Sequence, residues 1–143
     1  MGQRDIHNSM EQKVALDVQS ISSDTTTAGN ILDLQGFEGI EFLITAGSIT
    51  DGAYAVLIEE GDDSGLSDAA AVADSDLLGT ELLAAFTATD DNKVSKIGYI
   101  GQKQFVRLSL VSTGTTTGGT FGALAVLGHP RRTEDLATQA PQA

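Results

Sequence analysis

Two histidines, a cluster of carboxylates and a run of bases are the groupings in this 143-residue chain whose types suggest chemistry. A hydrolytic triad needs an imidazole beside a nucleophile and an orienting carboxylate. His7 lies in a polar stretch without periodicity, and His129 sits beside Pro130 at the end of an apolar run. Neither falls in a nucleophile or zinc motif. Glu59, Glu60, Asp62, Asp63 and Asp68 supply hard oxygens of the kind calcium prefers. Their spacing misses the EF-hand rule, so a solvated acidic loop is the expectation and a calcium loop the alternative. Carboxylate pairs for glycoside cleavage lack company, because there is no tryptophan to stack a sugar and Tyr54 and Tyr99 both fall in extended runs. The glycines of 114–119 are followed by no G-K-[ST] and open no helix, which excludes a phosphate loop. A non-enzymatic chain with no cofactor and no metal is expected.

The bases point elsewhere. The formal net charge is −12, and it is divided along the chain. From 14 to 92 there are acids and no base, whereas from 93 to 132 there are bases and no acid. Such opposite segments attract, within one chain or between subunits. Arg107 alternates with Phe105 and Ser109 on one side of its run, a mixed surface typical of protein contacts. The candidate protein-interface residues are therefore Lys93, Lys96, Lys103, Phe105, Arg107, Arg131 and Arg132. The acidity argues against nucleic acid, whose affinity comes mainly from phosphate neutralisation. With no cysteine there is neither a disulfide framework nor a thiolate metal site. No apolar run has bilayer-spanning length, and the polar start MGQRDIHNSMEQK predicts no secretory signal.

The elements that must position these residues are extended. In 40–45, Ile40, Phe42 and Ile44 fall on one side, with Glu41, Leu43 and Thr45 on the other. In 53–59, Tyr54, Val56 and Ile58 alternate with small or polar neighbours, and Gly47 with Asp51-Gly52 supplies turn chemistry between the two runs. A period of two with β-branched and aromatic residues is a strand pattern. The spacing predicts a central hairpin over 40–60 and a second hairpin over 94–111, turned at Gly101-Gln102 and carrying a basic ridge. Residues 14–21, 31–34 and 121–127 add further strands. Leucines 77, 78, 82 and 83 allow at most one helical turn, and Phe86 follows as a core plug. The expected fold is all-β: an antiparallel two-sheet sandwich, jelly-roll-like, with at most one short helix. The alternation alone also fits a simpler sandwich. Residues 1–12 read as a polar arm, 13–130 as the domain and 131–143 as a tail. Run 121–127 is apolar on both sides, so the arm, the leucine segment or another subunit must cover a second face.

Three stretches, GSITDGAYAVLIEEGDDSGLSDAA, KIGYIGQKQFVRLSL and GGTFGALAVLGHPRR, give 34–132 an overall pattern that resembles the capsid decoration, or cement, proteins of tailed bacteriophages. The resemblance implies a structural virion protein without catalytic residues, some relatives being jelly rolls that dimerise on the outside of the shell. Its partners would be the phage major capsid protein and a second copy, a dimer being favoured. Its place would be the outer capsid surface, after synthesis in the host cytoplasm. The alternatives are a receptor- or carbohydrate-binding sandwich working through loop 59–68, and a phage tail or neck component.

Overall fold

The computed structural model describes residues 6–130 and is built almost wholly of antiparallel strands. A 3-10 turn at His7–Ser9 leads into β1 (Met10–Ile21), which begins inside the segment read as an arm. Short strands β2 (Thr26–Ala28) and β3 (Leu32–Asp33) follow, then the long β4 (Phe37–Ile49) and β5 (Ala53–Gly61). Next come β6 (Ala70–Ala71), a 3-10 turn at Asp74–Asp76, β7 (Leu77–Leu78), α1 (Glu81–Ala84) and β8 (Phe86–Thr87). The last described elements are β9 (Val94–Tyr99), β10 (Phe105–Thr113) and β11 (Gly119–Pro130). The tail 131–143, with Arg131 and Arg132, lies outside the described residues.

One sheet has the order β1-β11-β4-β9-β7, and the other β2-β10-β5-β6, with β3 beside β10 and β8 beside β5. We call them sheet A and sheet B. Early strands lie beside late ones: β1 with β11, β2 and β3 with β10, β4 with β9, and β5 with β6 and β8. Nested pairs that alternate between two sheets are the topology of a jelly roll.

Both expected hairpins are therefore corrected. β4 pairs with β11 and β9 in sheet A, whereas β5 pairs with β10 in sheet B. The same division separates β9 from β10. In each case the turn is an arch over the end of the sandwich. A period of two fixes which side chains point inward, and strands facing one another across a core share that pattern with strands paired in one sheet.

Between the sheets, Leu16, Phe42, Ile44, Ile97 and Phe121 of sheet A meet Tyr54, Ile58, Val106, Leu108 and Leu110 of sheet B. The Phe121 ring lies 4.3 Å from that of Tyr54 and 5.7 Å, edge-on, from that of Phe86. Phe86 thus fills the core as expected. Along one side the sheets are tied at Gly29-Asn30, where the Gly29 amide donates to the Leu108 carbonyl (2.9 Å) and that of Asn30 to the Ala15 carbonyl (2.8 Å). A Cβ on Gly29 would stand 2.2 and 2.3 Å from the two carbonyl oxygens, so only glycine fits. Along the other side runs the one-turn helix, capped by Thr80 Oγ1, which accepts from the Leu83 amide (3.1 Å). Its Glu81 carboxylate accepts from the Ile58 amide (2.8 Å), in the gap on β5 between β6 and β8.

Candidate interaction surfaces

The expected basic ridge does not form as one feature. Lys93 and Lys96 belong to the sheet A side, Lys103 to the β9–β10 arch, and Phe105 and Arg107 to β10 in sheet B. Three of these bases already hold carboxylates of the same chain. Arg107 Nη2 lies 2.8 Å from Glu59 Oε1, its directly opposite neighbour on β5. Lys103 Nζ lies 2.6 Å from Asp62 Oδ2, and Lys93 Nζ 3.0 Å from Asp90 Oδ1. Half-buried Phe105 stands opposite Gly61 and Asp33 at the end of β10. The attraction legible in the divided sequence is thus spent largely within the fold. Lys96 has no carboxylate within 4 Å among the described residues.

The acidic loop is likewise turned upon itself. Asp68 accepts from the amides of Asp62 (2.8 Å) and Asp63 (3.2 Å), and Asp63 Oδ2 from those of Gly65 (2.9 Å) and Ser67 (3.2 Å). These amides, Ser67 first for Asp63 and Asp62 first for Asp68, hold both carboxyls below the usual carboxylate range. Leu66 is buried beneath the loop with φ of 53°, an anchor that fixes its path. Among the described residues, no three carboxylates or histidines gather in a metal-holding arrangement. His7 sits on an exposed turn and His129 on the exposed end of β11.

Two polar clusters carried no signal as sites. Asp51, on the β4–β5 arch, accepts from the amides of Thr116, Thr117 and Gly118 and from the Thr116 hydroxyl. That hydroxyl, with the Gly118 and Thr117 amides, holds its carboxyl down at about 2. An Asp-Gly pair and a distant amide-rich run, TTTGG, are the traces this latch leaves in the sequence. At the opposite end Tyr99 donates to Glu60 and accepts from the Lys103 amide (3.0 Å). Burial, reinforced by the Glu60 bond, pushes the phenol well above its ordinary value. Beside it opens a cleft of about 450 Å³ lined by Leu34, Gln35, Phe37 and Gln102.

The outer face of sheet A differs from all of these. Its rows follow directly from the ladders. One runs Val14, Leu124, Leu43, Lys96; the next runs Gln12, Val126, Glu41, Gly98, Leu78. A third runs Gly122, Thr45, Val94, and Val18 lies against Gly122. Val18 is 77% exposed and Leu124 42%. Glu41 and Lys96 are the charges in these rows, and burial raises the Glu41 carboxyl, opposed by Lys96. The leucine segment does not cover this face among the described residues. It borders β9 at the sheet edge, where Leu82 and Leu83 are 85% and 82% exposed. The outward pattern of Leu43, Leu124 and Val126 was present in the sequence; the rows that join them depend on pairings between distant strands.

The chain matches no protein-family model and no curated protein.

Proposed function

We propose that this chain is a structural virion protein that binds the outside of a tailed-phage capsid and ties neighbouring major capsid subunits together, acting by attachment and not by catalysis. The observation that carries the reading is the outer face of sheet A, with its exposed Val18, Leu124, Val94 and Leu78, together with exposed Leu82 and Leu83 on the helix beside β9, on a chain of net charge −12. Uncovered apolar area of this kind marks an interaction site. The resemblance of 34–132 to cement proteins supplies the partner. On the particle, the acid-rich loop 59–68 faces solvent and keeps the surface soluble, while the edge carrying Leu82 and Leu83 meets the shell. Lys93, Lys103 and Arg107 contribute by holding the loops and strands beside that edge, since their charges are already matched within the chain. Neither nucleic acid nor a membrane is a partner in this reading, and no helix among the described residues is long and apolar enough to cross one.

The test is to add purified protein to heads of the encoding phage that lack it. Saturable co-sedimentation and greater resistance of the heads to heat are expected, with binding lost for Leu82→Ser combined with Leu83→Ser. Heads that neither bind the protein nor gain resistance would end the reading.

A further inference from the structure

We infer that the outer face of sheet A is a self-association surface, on which a second copy packs about a dyad running diagonally through Leu43. This rests on the assembly reading above only in assigning its copy-to-copy contact, and it is tested in solution without a shell.

Two features of the face select a second copy as its occupant. The first is charge. On a chain of net charge −12, these rows carry one carboxylate and one ammonium, so two copies meet here with little of the repulsion they meet elsewhere. The second is placement. Lys96 lies one strand to the side of Leu43 in the same row, and Glu41 lies one row along the same strand. A diagonal two-fold through Leu43 exchanges those positions, setting Lys96 of each copy over Glu41 of the other. It also sets Val126 against Val94. Strand and row spacings of about 4.8 and 6.8 Å differ by about 2 Å, which Lys and Glu side chains span. The strands of the two copies cross at a steep angle, as in orthogonal sheet packing.

The chain contains no cysteine, so single thiols report the geometry cleanly. Leu43→Cys treated with a short bis-maleimide should yield covalent dimers at low micromolar concentration, whereas Ala55→Cys, exposed on the outer face of sheet B, should not. By sedimentation equilibrium, Lys96→Glu and Glu41→Lys should each weaken the dimer by about tenfold or more, and the double exchange should recover most of the loss. Far-ultraviolet circular dichroism of every variant should match the parent, which separates lost association from lost folding. A chain that stays monomeric, equal cross-linking through Ala55→Cys, or a double exchange no better than either single change would each overturn the assignment. If the protein is monomeric and Leu43→Asp abolishes attachment to heads, the face belongs to the shell; the cement reading then survives and this one does not.

Discussion

The two outer faces are made by the same fold and solve the same problem differently. On sheet B, outward Arg107 and Glu59 stand opposite each other in neighbouring strands and neutralise one another at 2.8 Å. On sheet A, outward Leu43 stands half-buried between exposed Leu124 and Lys96, without an opposite charge to finish the row. A jelly roll has to bury only its two inner faces, so each outer face is free to become finished or unfinished surface. Here sheet B is finished and sheet A is not.

The contrast depends on the two sheets being held as one body, and the severest way to break it is at their tie. Gly29→Ala drives a Cβ into two backbone carbonyls that cannot swing aside, and should cost about 3 kcal/mol or more in urea unfolding. A smaller loss should follow Glu81→Ala, which leaves the Ile58 amide on β5 without its acceptor; about 1–3 kcal/mol is expected from the same titration. Most directly, Arg107→Ala on the finished face strips half-buried Glu59 of its partner and should cost about 1 kcal/mol. Lys96→Ala on the unfinished face, which removes only a screened attraction to Glu41, should lower the melting of dilute protein clearly less. Equal losses at the two positions would erase the distinction.

The mildest effects come from two carboxylates shifted in opposite directions. Asp51, held down at about 2, adds stability that is complete above the ordinary Asp range and disappears as the pH falls through about 2. Asp51→Asn should therefore lower the melting temperature at pH 7, with the gap closing in strong acid. Glu41 has the reverse sign. Its raised carboxyl weakens the fold where it is ionised, and the penalty lifts as the pH falls through the raised value towards 4.5. In dilute protein, Glu41→Gln should raise the melting temperature at pH 7 and make no difference in acid.

Much of the fold was legible because it rests on local pattern. Alternation located the long strands, Leu82-Leu83 lay in a single helical turn, and Phe86 followed as a core residue. Pairing was not legible. Asp51-Gly52 and Gly101-Gln102 suit a hairpin and an arch equally, and the choice is made by β10 and β11, far along the chain, inserting beside β5 and β4. The candidate surface divided along the same line. That 121–127 is apolar on both sides is visible in seven letters, whereas the meeting of Leu124 with Leu43, and of Arg107 with Glu59, depends on register between distant segments. The Asp51 latch was hidden for that reason too, its partners lying on the β10–β11 loop.

The position of β11 has a bearing on how the protein is made. It lies between β1 and β4, so sheet A has a strand-wide gap until residue 130 or so has left the ribosome. A nascent chain halted before that point holds β1 without a neighbour and β4 with one open edge. Closure of sheet A is thereby deferred until β11 has emerged, and fragments released before then carry open strand edges that invite proteolysis and aggregation.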